Sequence, residues 1–247
     1  MNRPMLAGNW KMFKTISEAE AFATAFKAAV EGVVDRDILI CPPALQLDRL
    51  NQVLAGSNVS LGGQNLYWED QGAFTGEISA PMLKSAGAAY VLIGHSERRQ
   101  YFGETNATVN RRVQAALKHD LIPVVCVGET LEQREAGQTM SLIEAQVREG
   151  LAGVSADVLI AYEPVWAIGT GKTATPAMAQ EVHAGIKQVL TDMWGADKAA
   201  RTRILYGGSV KPENIDELMR EPDIEGVLVG GASLDVESFA RIVKFKA

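Results

Sequence analysis

The sequence predicts a single-domain α/β protein of the (β/α)8 barrel class spanning residues 1–247. Short apolar or β-branched runs recur along it, beginning near Met5, Asp37, Val59, Tyr90, Leu121, Val158, Arg203 and Gly226. Runs such as Ile38-Leu39-Ile40, Val124-Val125-Cys126-Val127 and Val227-Leu228-Val229 are almost continuously apolar. That is the pattern of parallel strands buried on both faces. Segments of helical spacing separate the runs, and 247 residues is about what eight strand–helix units require.

The first helical stripe is Phe22, Phe26, Ala29, Val30 and Val33. Val109, Val113, Ala116 and Leu117 form another, and Met178, Val182, Ile186, Val189, Leu190 and Met193 a longer one. Val236, Phe239, Ile242 and Val243 form the last. Each covers about a third of its helix, so one face packs and the other meets water. Ser17 with Glu20 reads as a capping box. Pro176 and Pro212 mark two further helix starts. No linker or low-complexity stretch interrupts the series.

Composition excludes several functions. The 24 Lys+Arg against 30 Asp+Glu give a net charge of −6, with no basic run, which argues against a nucleic-acid partner. No stretch approaches 18 consecutive apolar residues, so no membrane span is expected. Met1 to Trp10 lacks an apolar signal core. The two cysteines, Cys41 and Cys126, have neither metal-ligand spacing nor the makings of a disulfide framework. A cytoplasmic setting is expected, and no metal site.

A barrel puts its chemistry in the loops that follow the strands. The first strand run closes with Gly8-Asn9-Trp10-Lys11, the fourth with Gly94-His95-Ser96-Glu97, and the sixth with Tyr162-Glu163-Pro164. The seventh and eighth close with Tyr206-Gly207-Gly208-Ser209 and Val229-Gly230-Gly231-Ala232. Singly, a lysine after a strand is a solvated charge and a histidine a hydrogen-bonded structural residue. Together on one rim, Lys11, His95 and Glu163 suit proton transfer beside a carbonyl. The glycine pairs expose backbone N–H groups to an anion, or serve as tight turns.

Residues 164–174 combine Pro164, Val165, Trp166 and Ile168 with Gly169 and Gly171. That composition suits a lid that excludes water, or a partly buried static loop. Gly169-x-Gly171-x-x-Ala174 imitates a dinucleotide fingerprint, but it comes five residues after the strand and no strand-end acid follows it. Gly171-Lys172-Thr173 fails as a P-loop, because Trp166 stands where its first glycine belongs.

Asn9-Trp10-Lys11, residues 94–99, Cys126 to Thr130, Ala161 to Ala174, residues 206–210 and residues 229–233 together resemble the triosephosphate isomerase family, from residue 8 to the last helix. The resemblance implies a TIM barrel. It implies cofactor-free interconversion of dihydroxyacetone phosphate and glyceraldehyde 3-phosphate through an enediolate, in glycolysis and gluconeogenesis. It makes Glu163 the base, His95 a neutral electrophile, Lys11 the electrostatic stabiliser and Asn9 an orienting group. Gly169, Ser209, Gly230 and Gly231 would hold the phosphate. Glu97 would steady Lys11, or be a surface ion pair. Ser96 would support the site, Tyr206 and Ser209 would latch a closed lid, and Glu129 would hold Trp166 in the open form. The loop carrying Phe74 and Thr75 would enter a partner subunit, implying a homodimer. Two competing readings are another sugar-phosphate barrel enzyme, with a larger pocket, and a non-catalytic phosphate-binding barrel, lacking the base or the electrophile.

Overall fold

The computed structural model describes residues 2–168 and 174–246. Eight parallel strands form a closed barrel in sequence order. They are β1 (Met5–Asn9), β2 (Asp37–Cys41), β3 (Val59–Gly63), β4 (Tyr90–Ile93), β5 (Ile122–Val127), β6 (Leu159–Tyr162), β7 (Ile204–Tyr206) and β8 (Gly226–Val229). Closure comes from β8 pairing with β1, in the register Met5↔Gly226 to Gly8↔Val229. Each strand starts at the residue its sequence suggests or one later.

Helices cover the outside: α1 (Ile16–Ala29), α2 (Leu47–Val53), α3 (Ala80–Ser85), α4 (Ser96–Phe102), α5 (Asn106–Lys118), α6 (Leu131–Glu135), α7 (Thr139–Gly150), α8 (Pro176–Trp194), α9 (Ala196–Arg201), α10 (Ile215–Leu218) and α11 (Val236–Val243). None is long and apolar enough to cross a membrane, among the described residues.

Strand side chains alternate between two cores. Met5, Ala7, Leu39, Leu92, Val124, Cys126, Leu159, Ala161, Leu205 and Leu228 fill the barrel interior. Their neighbours Leu6, Ile38, Ile40, Val125, Ile160, Tyr162 and Val227 join the layer between sheet and helices. Across the closing seam Phe239 of α11 stacks on Phe26 of α1, with ring centroids 4.9 Å apart and 10° between planes. Both rings are fully buried, and each stabilises the seam by about 1.5–3 kcal/mol through lost apolar surface.

Two helix starts differ from the sequence reading. The first capping box is Thr15 with Glu18: the Glu18 amide donates to the Thr15 hydroxyl, and the Thr15 amide to the Glu18 carboxylate at 2.7 Å. Both Thr-x-x-Glu and Ser-x-x-Glu fit the motif, but Glu20 is taken up by Arg49 of α2, so the earlier pair caps. Pro212 opens a turn rather than a helix. The Asn214 side chain accepts from the Lys211 amide at 2.8 Å and delays α10 to Ile215.

Candidate active site

Strand alternation aims the site. Asn9 follows Met5 and Ala7 in the inward sense, and Glu163 follows Leu159 and Ala161. Gly207 and Gly230 follow Leu205 and Leu228 in the same way. All four line one cavity of about 340 Å³ at the carboxyl mouth of the barrel, together with Lys11, His95, Ser209 and Gly231. That volume suits a small ligand.

His95 is aimed by a different device. Gly94 turns the chain through φ +73° after β4, where an added Cβ would sit 2.7 Å from Val109 Cγ2. Only glycine meets both demands. His95 then caps α4, its Nδ1 accepting the Glu97 amide at 3.2 Å. A ring that accepts at Nδ1 carries its proton on Nε2. Nε2 lies 2.8 Å from Glu163 Oε1 and donates to it. The other carboxylate oxygen of Glu163 accepts the Ser96 amide at 2.9 Å.

Both side chains are almost fully buried. For Glu163, burial is the largest single influence and favours the neutral acid. His95, the Ser96 amide and Lys11 outweigh it together and hold the carboxyl below its ordinary range. For His95, burial is again the largest influence and disfavours the imidazolium. Contact with Glu163 opposes it and draws the imidazole upward in the ligand-free pair. Apart from Glu163, burial and Lys11 disfavour the imidazolium, and Glu97 opposes them.

Lys11 has left-handed backbone, φ +50°. Its amide donates to Asn9 Oδ1 at 3.0 Å, and its carbonyl accepts Gln64 Nε2 at 2.8 Å. Its ammonium lies 2.6 Å from Glu97 Oε1. Both partners are partly exposed, so the pair adds little to stability. Its effect is to fix where the ammonium sits. An added Cβ at Gly231 would meet nothing within 4 Å, and one at Gly230 only Lys11 Cε at 3.7 Å. The turn after β8 therefore faces open space.

Glu129 is wholly buried behind the cavity. Its Oε1 accepts from Trp166 Nε1 at 2.9 Å, Tyr162 Oη at 3.1 Å and Arg134 at 3.2 Å. Burial pushes the Tyr206 phenol up to about 12. Gly169 lies outside the described residues. Phe74 and Thr75 do not line the cavity. Phe74 is less exposed than its loop suggests, because it packs on the Tyr67 ring at 4.6 Å. Cys126 packs in the barrel interior.

Sequence reasoning missed Gln64 and Lys211. Lys211 lines the cavity, and Gln64 donates to the carbonyls of Lys11 and Cys41. Gln64 directly follows β3, so the strand-end signal that found Asn9 could have found it. Among the described residues no three or more His, Cys, Asp or Glu side chains gather in a way that could hold a metal ion.

The sequence profile of the family described as triosephosphate isomerase matches residues 4–246. The chain belongs to the triosephosphate isomerase family. A triosephosphate isomerase from Moorella thermoacetica is 56% identical over 249 residues, covering 99% of each chain. One from Chloroflexus aurantiacus is 55% identical over 250 residues, covering 100% of each. The crystal structure of triosephosphate isomerase from Bartonella henselae superposes with a TM-score of 0.90 at 43% identity, covering 98% of each chain. With the family membership comes its enzyme class, an isomerase.

The opposed influences on His95 yield a prediction. In Glu163→Gln the carboxylate that draws the imidazole upward is gone, and burial remains. The titration midpoint of His95, followed by imidazole ¹⁵N NMR, moves down from its wild-type value. An unchanged or higher midpoint would overturn the pairing.

Proposed function

We propose that the chain interconverts dihydroxyacetone phosphate and glyceraldehyde 3-phosphate, with Glu163 as the base and His95 as the electrophile. The observation that carries this reading is the 2.8 Å contact between Glu163 Oε1 and His95 Nε2 at the cavity. It pairs an ionised acceptor with a ring N–H donor, the two groups needed on either side of a carbonyl whose neighbouring carbon loses a proton. A substrate entering between them takes the donor onto its oxygen and the carboxylate onto its C–H. Glu163 then gains basicity, since His95, the largest of the influences lowering it, is withdrawn. The carboxylate takes the proton from one carbon and returns it to the next.

Negative charge develops on the substrate oxygens as the enediolate forms. Lys11 stabilises it, and Asn9 orients the substrate. Glu97 holds the ammonium of Lys11, and Ser96 holds Glu163 between turnovers. Ser209, Gly230 and Gly231, with Gly169, take the phosphate through backbone N–H groups. Tyr206, Ser209, Glu129 and Trp166 serve the lid, whose closure keeps water from an enediolate that could lose its phosphate. The small cavity favours a triose over a larger sugar phosphate, and the presence of both base and electrophile disfavours a non-catalytic barrel.

A homodimer is part of this proposal. Met12 is 94% exposed and Leu45 86%, beside half-exposed Phe13 and Ile16, an apolar group that a lone chain leaves in water. The exposed loop with Phe74 and Thr75 would enter the neighbouring subunit. A cytoplasmic setting fits two cysteines that are both free and buried.

Two measurements check this. A coupled assay on glyceraldehyde 3-phosphate should give turnover, and Glu163→Gln should lower it by about 10²–10⁴ or more with the fold intact. Clean, folded wild type without turnover would sink the reading, and near-normal turnover in the variant would refute the base. Sedimentation at micromolar concentration should find a dimer. A stable, fully active monomer would reject the shared loop.

A further inference from the structure

Among the described residues three non-glycine residues have positive φ: Lys11 at +50°, Lys14 at +70° and Asp120 at +54°. Two of the three therefore lie within four residues of each other, in the loop between β1 and α1. Left-handed backbone costs such a residue roughly 1–2 kcal/mol, so the loop relaxes unless its surroundings hold it. Side chains from the segments that follow β2 and β3 hold its backbone. Gln64 donates to the Lys11 carbonyl, and Gln46 donates to the carbonyls of Phe13 and Lys14.

The Lys14 side chain does something else. Its ammonium donates to the Leu234 carbonyl at 2.9 Å and lies 4.8 Å from the Phe22 ring centroid and 5.4 Å from that of Trp10. Trp10 Nε1 donates beside it to the Ser233 carbonyl at 3.1 Å. Two bonds thus run from the loop that carries Lys11 to the far end of the 3₁₀ turn Gly231–Leu234. The near end of that turn, Gly230 and Gly231, lines the cavity, whereas Lys14 does not. Inside the turn the Ser233 amide and hydroxyl both donate to the Gly230 carbonyl, at 2.9 and 2.7 Å. It is a short, internally braced unit, and a pull at Leu234 is transmitted to Gly230.

We propose that Lys14 is a positioning residue that sets the spacing between the Lys11 ammonium and the anion-holding turn at Gly230 and Gly231. It acts through Leu234 and the Trp10 and Phe22 rings, without touching the substrate. The proposal rests on the reading that the phosphate of a triose phosphate binds at this turn.

The test compares Lys14→Met, which keeps the aliphatic stem, with Lys14→Arg, which keeps a cationic donor. Measured on the full chain are kcat and KM for glyceraldehyde 3-phosphate, the dissociation constant of inorganic phosphate at low and high salt, and the melting temperature. Losing one charge-assisted hydrogen bond should raise KM and the phosphate dissociation constant about tenfold in Lys14→Met, at both salt concentrations, with kcat changed less than about threefold. Lys14→Arg should restore both to within about threefold. A lower melting temperature with unchanged KM and phosphate affinity would overturn the proposal, leaving only packing. An effect that vanishes at high salt would also overturn it, since long-range attraction is screened and a positional shift is not. Lys14→Gln replaces Lys14→Met if the latter does not fold. If wild type has no turnover, the functional reading fails, while the phosphate measurements still judge the clamp.

Discussion

The structure depends on one constraint, the closure of the sheet where β8 pairs with β1. Closure fixes the register of every strand, and register fixes which side chains face in. A slip of one residue in β6 would send Glu163 outward and bring Tyr162 to the mouth of the barrel. Two cores prevent it. Ala161 and Leu159 belong to the interior, and Ile160 and Tyr162 to the helix-facing layer, so a slip would disturb both. The stacking of Phe26 on Phe239 seals the same seam from outside. Stability and catalytic geometry are therefore set by one packing arrangement.

The site draws on that arrangement to resolve an electrostatic conflict. A chain with net charge −6 is proposed to bind an anion. Net charge acts at long range on whole faces, whereas the cavity is lined by two lysines, Lys11 and Lys211, and by bare turns after β7 and β8. Glu163, the proposed base, is also buried, which by itself would neutralise it. His95 and the Ser96 amide keep it ionised, and both are placed by the single left-handed turn at Gly94. One glycine thus places both the imidazole and the amide that contact Glu163.

Much of this was legible in the sequence, for physical reasons. Parallel strands buried on both faces leave continuous apolar runs, so strand starts could be read to within a residue. Asn9, Lys11, His95 and Glu163 stood out because polar groups following such runs converge in a barrel. What the sequence hid was competition between partners. Thr15 and Ser17 offer the same capping motif, and only the claim of Arg49 on Glu20 decides between them. The cover that Tyr67 gives Phe74 and the bond from Lys14 to Leu234 join positions that no spacing rule links. Lys211 lies beyond its strand end, where a surface lysine and a cavity lysine look alike.

The central claim is that a single carboxylate, brought inward by the register of β6, carries the proton between two carbons. Isomerising dihydroxyacetone phosphate in D₂O tests this most directly, with the product read by ¹H NMR. A proton held on Glu163 between removal and return can exchange with solvent, so the account predicts deuterium on the carbon next to the aldehyde. Turnover that leaves no deuterium at that carbon, as a direct hydride shift would, contradicts it.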